Sequence, residues 1–262
     1  MDVLTILLSS LLGVLSPVGL VLDETLEGEI HDRFEEVEEL QVRIDNVPSH
    51  QILAGKVDRV RIAGRGLRSS PSIDFGDGEM RSLRIAVLEV ETDPIDLDLD
   101  RLDDGIEALE KPLQAGIRLV LEEADLDRFF SSSDTSLGGP RFEIGEFIVT
   151  SPQIDFTDEN RLQVRLGLQE KDDREPLEVA IESGFRVLRG RYLEFVEPRI
   201  VANGEEATPQ LLEAILGEAG QLDIDRLSPP GTMVRVLRWH LTPDRFEIAV
   251  FVRVSSEIEN IL

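Results

Sequence analysis

Alternation of apolar and polar residues with a period of two runs through most of this chain and constrains its fold more than any other feature. The pattern recurs in several separate segments, residues 40–44, 95–100, 162–168, 177–181 and 246–254. A period of two places every second side chain on the same face of an extended strand. Antiparallel sheets with one packed face and one wet face produce this alternation. In residues 81–91, apolar side chains occupy both the odd and the even positions, which predicts a strand buried on both sides.

Helical patterns are few. Leu26, Ile30, Phe34 and Val37 form one apolar stripe among acidic residues, which predicts an amphipathic helix. Residues 122–132 predict a short helix, and Thr208 followed by Pro209 predicts the start of a helix that ends near Gly217 or Gly220. A single helical turn is expected around residues 49–53.

Strand faces outnumber the helical stripes that could cover them. About nine predicted strands each offer an apolar face, against three or four helices. A large apolar sheet face is not stable in contact with water. The sheet must therefore curl on itself, wrap a helix or face something other than protein, and the fold class predicted is α+β with a long, strongly curved antiparallel sheet.

The first 22 residues form a separate hydrophobic segment. Residues 3–22 contain no charged side chain, and about 20 apolar residues suffice to span a bilayer. Three serines, two glycines and Pro17 weaken a spanning helix, and Asp2 stands where a secretory signal has basic residues. A retained membrane anchor or interfacial helix, a cleaved signal and a buried core helix all remain open. If the segment meets a membrane, the contacts expected are Leu7, Leu8, Leu11, Leu12 and Leu15.

Charge and cysteine content exclude several functions. The chain of 262 residues carries 53 Asp+Glu and 27 Lys+Arg, a net charge of −26, and no local basic stripe. Such a chain repels phosphate backbones, so we expect no nucleic-acid partner. The absence of cysteine removes disulfides, thiol nucleophiles, thiolate metal sites and a lipidated cysteine.

Catalytic and metal-binding patterns are weak. Asp96, Asp98 and Asp100 alternate along a predicted strand, which indicates a solvated strand face rather than a calcium loop. The three histidines have no metal-ligand spacing, and no serine has the context of a hydrolase nucleophile. Residues 63–67 (AGRGL) are followed by no helix, so a strand bulge or a close backbone approach is expected there rather than a phosphate loop. We therefore predict no catalytic residues, no metal and no cofactor.

Three stretches carry a family resemblance. They are residues 40–68 (LQVRIDNVPSHQILAGKVDRVRIAGRGLR), residues 84–102 (RIAVLEVETDPIDLDLDRL) and residues 112–132 (PLQAGIRLVLEEADLDRFFSS). Together they resemble the LmeA-like phospholipid-binding family, and especially its cyanobacterial-type members. The resemblance implies a fold similar to the tubular, BPI-like lipid-binding proteins, in which a curved sheet wraps a helix around an apolar cavity. It also implies phospholipid binding and, in mycobacterial members, a role in the assembly of envelope glycolipids.

The sequence and the resemblance together predict a non-enzymatic, membrane-associated lipid-binding protein of the cell envelope or an internal membrane. Residues 1–22 form its hydrophobic segment, and residues 23–262 its lipid-binding domain. The expected partners are a phospholipid or glycolipid and a membrane. The candidates for the lipid cavity are the apolar residues of two predicted strands: Leu162, Val164, Leu166, Leu168, Phe246, Ile248, Val250 and Val252.

Two other functions stay open. The chain could be an acidic scaffold or accessory subunit with a dry core that docks a membrane enzyme. It could also hydrolyse lipid-linked sugars with a pair of carboxylates.

Overall fold

The computed structural model describes residues 34–69, 82–130, 141–144, 147–157, 160–170, 177–207, 221–226, 228–229 and 231–255. Within these ranges most of the chain forms antiparallel β-strands, as the alternation predicts. The hydrophobic segment 1–22 with the five leucines predicted to contact a membrane, His31 and the helix predicted from Thr208 lie outside the described residues.

Six strands form the first sheet: β1 (Phe34–Asp45), β3 (Arg59–Ser69), β4 (Arg84–Thr92), β6 (Leu113–Glu122), β14 (Thr232–Leu241) and β15 (Arg245–Val254). Their spatial order is β1–β3–β4–β6–β15–β14. Side chains from all six strands meet in one apolar core, which includes Val60, Leu88, Ile117, Val234 and Val252. The edge strands β1 and β14 thus contribute to the same core, so the sheet curls over its own apolar face.

Seven strands form the second sheet: β7 (Arg141–Ile144), β8 (Phe147–Thr157), β9 (Arg161–Glu170), β10 (Leu177–Leu188), β11 (Tyr192–Ala202), β12 (Glu205–Glu206) and β13 (Gln221–Asp223). The order is β12–β11–β10–β9–β8–β7, and β13 also pairs with β11. All seven lie in the chain between β6 and β14. Since β15 returns to pair with β6 along its whole length, the second sheet is an insertion into the first.

Short elements complete the described structure. Strands β2 (Lys56–Val57) and β5 (Ile95–Asp96) pair with each other, and 3-10 helices span Ser49–Ala54, Leu99–Ala108 and Ile224–Arg226. Helix α1 (Glu123–Phe130) confirms the helix predicted at residues 122–132. It buries Leu126 and Phe129 in the core of the first sheet, and Glu123 Oε1 accepts a hydrogen bond of 2.7 Å from the Phe156 amide of β8.

The prediction of a helix with the stripe Leu26, Ile30, Phe34 and Val37 is wrong where the structure describes it. Phe34 and Val37 belong to β1, which pairs with β3. A register shift between Phe34 and Glu36 puts the inward residues three apart instead of two, and a spacing of three imitates one face of a helix.

The solvated strand face predicted for Asp96, Asp98 and Asp100 is also wrong. Asp96 is buried, and its Oδ2 accepts a hydrogen bond of 2.6 Å from Lys111 Nζ. Asp98 caps the following 3-10 helix, since its Oδ1 accepts from the amide of Asp100 at 3.0 Å. Short acidic side chains accept hydrogen bonds from nearby backbone amides, which then do not take part in strand pairing. The strand therefore ends after Asp96.

The glycine-rich residues 63–67 lie within strand β3, and the close approach expected there is confirmed. Gly66 has a φ of +57°, and a Cβ on it would collide with the side chain of Glu38 on the neighbouring strand. Gly66 therefore serves strand pairing and not phosphate binding.

Candidate functional site

The second sheet carries a continuous apolar face. Directly opposed residues of antiparallel strands point to the same side. One row crosses four strands from Ile154 of β8 through Val164 and Ile181 to Ile200 of β11. Parallel rows on the same side are Leu166–Val179–Ala202 and Val149–Leu168–Leu177.

Part of this face remains accessible. Val149, Val179 and Ile200 are buried. In contrast, the predicted lipid contacts Leu162, Val164, Leu166 and Leu168 of β9 are all only half-buried. Leu177 at the end of β10 is 36% exposed. The face thus presents apolar surface along β9 and β10.

The other predicted lipid contacts lie on a different sheet. Ile248, Val250 and Val252 of β15 are at most 8% exposed and belong to the core of the first sheet. Phe246 is half-buried and packs against that core, as does Leu162 of β9. The two predicted strands therefore do not share one face, although Leu162 and Phe246 both pack against the core of the first sheet. Lipid contact stays a prediction for both sets.

Hydrogen bonds fix the junction of the two sheets. Asn160, in the turn before β9, donates from Nδ2 to the Phe185 carbonyl at 2.7 Å and accepts at Oδ1 from the Leu241 amide at 2.8 Å. Its φ of +61° is a left-handed conformation that asparagine tolerates better than most residues. The Gly190 carbonyl also accepts from the Val236 amide at 2.7 Å. Strands β10 and β14 are thereby held side by side at the junction.

A cleft of about 500 Å³ opens at this junction. Its apolar lining is Phe185, Val187, Val196, Leu237 and Trp239. The rings of Phe185 and Trp239 lie 5.6 Å apart, and the Trp239 and Phe246 rings 4.5 Å apart, which are distances typical of favourable aromatic pairs. The Trp239 ring therefore packs against two other aromatic rings and also forms a wall of the cleft.

The polar lining of the cleft is Asn160, Arg186 and Arg238. Arg186 Nε donates to Glu194 Oε2 at 2.7 Å. Arg238 Nε lies 3.6 Å from Glu247 Oε1, and that oxygen already accepts a 3.1 Å hydrogen bond from Arg118 Nε. The sequence did not reveal this cleft, because its residues come from four separate segments that no spacing links.

Comparison with models of protein families identifies the family of this chain. Residues 13–251 match the family model of LmeA-like phospholipid-binding proteins, which is nearly the whole chain. The chain belongs to the LmeA-like phospholipid-binding family. The resemblance seen in residues 40–68, 84–102 and 112–132 is thus confirmed, and a lipid-binding role follows from it. Neither the curated proteins nor the solved structures contain a significant match to this LmeA-like chain.

Within the described part of the LmeA-like chain, no helix combines the length and the apolar character needed to cross a bilayer. The described residues also contain no group of three or more His, Asp or Glu placed to hold a metal ion. His50 and His240 are both exposed.

Arginine partners lower the pKa of three carboxyl groups in the LmeA-like chain. Hydrogen bonds from Arg61, and then Arg43, hold the pKa of Asp45 below its usual value. Arg191 does the same for the pKa of Asp223, and Arg118 for the pKa of Glu247. A general acid of a glycosidase needs a raised pKa, so these three groups have the opposite character.

Glu247→Gln is expected to lower the free energy of unfolding by about 1–2 kcal/mol at neutral pH. The lowered carboxyl pKa stabilises the fold above the pKa of the unfolded chain, and this contribution disappears as the pH falls through the folded-state pKa. Urea unfolding at a series of pH values from 7 down to 3 should therefore show a difference from the original protein that is full at pH 7 and becomes smaller as the pH falls below the carboxyl pKa of the unfolded chain.

Glu89→Gln is the matched control for this experiment. Glu89 Oε2 binds the same Arg118 at 3.1 Å but its side chain is 53% exposed, against 7% for Glu247. An exposed ion pair contributes little, so we expect Glu89→Gln to change the stability by less than about 0.5 kcal/mol at any of these pH values. Equal losses in both variants would contradict the assignment to buried Glu247.

Proposed function

We propose that this protein is a non-enzymatic, membrane-associated phospholipid-binding protein that holds acyl chains against the apolar face of the second sheet. Two findings support the proposal. The chain belongs to a phospholipid-binding family, and its second sheet presents half-buried apolar side chains along β9. The accessible face is the observation that carries it, since the first sheet encloses a core of buried residues.

Burial of hydrocarbon supplies the binding energy in this mechanism. Each CH₂ group removed from water contributes about 0.8 kcal/mol, so an acyl chain binds without specific polar contacts. The half-buried apolar residues of β9 from Leu162 to Leu168 span about 20 Å at the usual rise per residue. The hydrocarbon core of a bilayer is about 30 Å thick, so one chain reaches about 15 Å and fits along this strand.

A membrane role is proposed for the hydrophobic segment 1–22, with Leu7, Leu8, Leu11, Leu12 and Leu15 as its lipid contacts. Residues 23–262 then form the lipid-binding domain beside a membrane of the cell envelope or the cell interior. Transfer of phospholipid or assembly of glycolipid is the process that such a domain would serve. A curved-sheet fold related to the tubular lipid-binding proteins is part of the same proposal.

The segment is tested by membrane sedimentation. The full chain should pellet with membranes after a carbonate wash, whereas a chain that begins at Asp23 should remain in the supernatant. A full chain that stays monodisperse without detergent would instead indicate a segment packed within the protein.

Surface charge should oppose docking to anionic membranes. With a net charge of −26, the protein should bind anionic vesicles weakly at low salt and better at higher salt. The physical reason is screening, because the Debye length falls from about 30 Å at 0.01 M to about 8 Å at 0.15 M salt. Vesicle flotation across this range measures the effect, and binding that falls steeply with salt would contradict it.

The proposed function itself is tested by mass spectrometry of lipids extracted from the purified full chain. Phospholipid near one equivalent or more per chain is expected. An empty protein whose second sheet is nevertheless stable would favour the acidic scaffold with a dry core instead.

A further inference from the structure

We propose that the cleft between β10 and β14 receives the phosphate group of the bound phospholipid, with Arg238 as the residue that binds it. This inference rests on the proposed function and adds a polar subsite to it. Four features of the cleft support it: the charge of its lining, the exposure of Arg238, the shape of β14 and the position of the cleft beside the apolar face.

The lining of the cleft reverses the charge of the rest of the protein. The chain has 53 Asp+Glu and a net charge of −26. Among the described residues that line the cleft, there are two arginines and no carboxylate. Glu194 and Glu247 each pair with one of these arginines from outside the lining, so the charged groups that face a ligand in the cleft are the guanidinium groups. Such a lining favours an anionic group of the ligand.

Arg238 is the better placed of the two arginines to take a ligand. Arg186 is held by its 2.7 Å bond to Glu194. The carboxylate nearest to Arg238 among the described residues is that of Glu247, at 3.6 Å, which is longer than a hydrogen bond. The Arg238 side chain is 58% exposed, so its guanidinium can reach a phosphate and bind it through two parallel hydrogen bonds.

A bulge in β14 sets the position of Arg238. Val236 pairs with Val250 and Trp239 with Ile248, so Leu237 and Arg238 together stand opposite the single residue Ala249. Bulges of this kind redirect side chains out of the regular alternation. Leu237 is 69% exposed, and it lines the same cleft as Arg238. A cation next to exposed hydrocarbon suits the point where the phosphate of a lipid meets its acyl chains.

The cleft lies on the same side of β10 as the apolar face of the second sheet. Phe185 and Val187 line the cleft, and they lie on the same side of β10 as Val179 and Ile181. Val179 and Ser183 on this side of β10 are buried, so an acyl chain that lies over the half-buried residues of β9 would approach the cleft from the same side. The volume of about 500 Å³ lies within the range of sites for small ligands.

The test compares two short-chain lipids that differ only in the phosphate, phosphatidic acid and diacylglycerol, both below their micelle concentrations. Trp239 is the single tryptophan of the chain and a wall of the cleft, so its fluorescence reports on ligands there. Equilibrium dialysis of labelled lipid gives an independent affinity. The variants are Arg238→Gln and, as a matched control, Arg65→Gln. Arg65 is 72% exposed on β3 of the first sheet and lies 3.8 Å from Glu39, so its replacement changes the net charge equally.

Arg238→Gln should weaken phosphatidic acid binding by about 5- to 20-fold and leave diacylglycerol binding unchanged, since only the charged hydrogen bonds are lost. Arg65→Gln should leave both affinities unchanged. The proposal is overturned if Arg238→Gln binds phosphatidic acid within twofold of the original protein, or if Arg65→Gln loses as much. It is also overturned if inorganic phosphate displaces phosphatidic acid at an equal concentration, because the cleft would then bind a free anion.

The two proposals fail in different ways. An original protein that binds neither lipid contradicts the proposed function and the phosphate subsite together. An original protein and an Arg238→Gln variant that bind both lipids equally well contradict the phosphate subsite alone.

Discussion

Val250→Trp should lower the free energy of unfolding by about 1–3 kcal/mol or more, because it forces a larger side chain into a close-packed core. Val250 is 8% exposed and lies within the core of the first sheet. Leu166→Trp should cost much less, since Leu166 of β9 is only half-buried on the apolar face of the second sheet. The same variant should carry several-fold less phospholipid, because the indole occupies space where the acyl chain is proposed to lie.

Thermal melts and native mass spectrometry measure the two effects separately. For a protein of this size, each kcal/mol shifts the melting temperature by about 2–4 °C. Arg165→Trp is the control, since residue 165 lies on β9 beside Leu166 but on the opposite face, where Arg165 binds Asp155. It should leave bound lipid unchanged. Two results together would contradict the proposed lipid contact: an original protein that carries no lipid, and a Leu166→Trp variant that unfolds as readily as Val250→Trp. They would show that the apolar face of the second sheet is close-packed against protein and holds no lipid.

Arg84→Met should lower the free energy of unfolding by about 2–4 kcal/mol, because it leaves a buried carboxylate short of a partner. Arg84 Nη1 donates to Asp125 Oδ2 at 2.9 Å, and its Nη2 donates to Glu38 Oε1 at 2.8 Å. The Asp125 side chain is 1% exposed and that of Arg84 is 22% exposed. One arginine therefore connects β4 to β1 and to helix α1 from a partly buried position.

Arg128→Met is the matched control for this network. Arg128 Nη1 binds the other oxygen of Asp125 at 2.8 Å, but the Arg128 side chain is 62% exposed. We expect a loss below about 1 kcal/mol, since solvent replaces most of an exposed pair. Urea unfolding of both variants measures the difference, and equal losses would show that burial of Arg84 does not matter.

Strand formation was predictable from the sequence because it depends on local alternation. Residues 162–168 alternate strictly, and residues 246–254 have an apolar residue at every second position. Both segments lie in long strands of the structure, β9 and β15. The short helix at residues 122–132 and the turn at residues 49–53 were predictable for the same reason.

The local sequence pattern gave wrong predictions where long-range contacts change the regular alternation of a strand. Phe34 and Val37 are spaced like residues of a helix, yet the spacing comes from a register shift against β3 that only the paired strand reveals. Asp96 has the spacing of a residue on a solvent-exposed strand face. It is buried instead, because it forms an ion pair with Lys111, which lies 15 positions later in the chain.

The division of the strands between two sheets could not be predicted from the sequence. Leu166 and Val250 have equivalent apolar patterns, and only the pairing partners place Leu166 on an accessible face and Val250 in a closed core. The cleft was hidden for a related reason. The junction of the sheets brings Asn160, Phe185 and Trp239 together. The bulge at Leu237, which is exposed, contains no glycine or proline that would have indicated it in the sequence.

The most direct test of the account is photo-crosslinking with a phospholipid that carries a diazirine in one acyl chain, followed by peptide mass spectrometry of the full-length protein. A bound chain along the second sheet predicts adducts on β9 and β10, at residues 162–168 and 177–187, and few on β15. Adducts confined to residues 246–254 of β15, or spread evenly over the surface, would contradict the proposal that the second sheet holds the lipid.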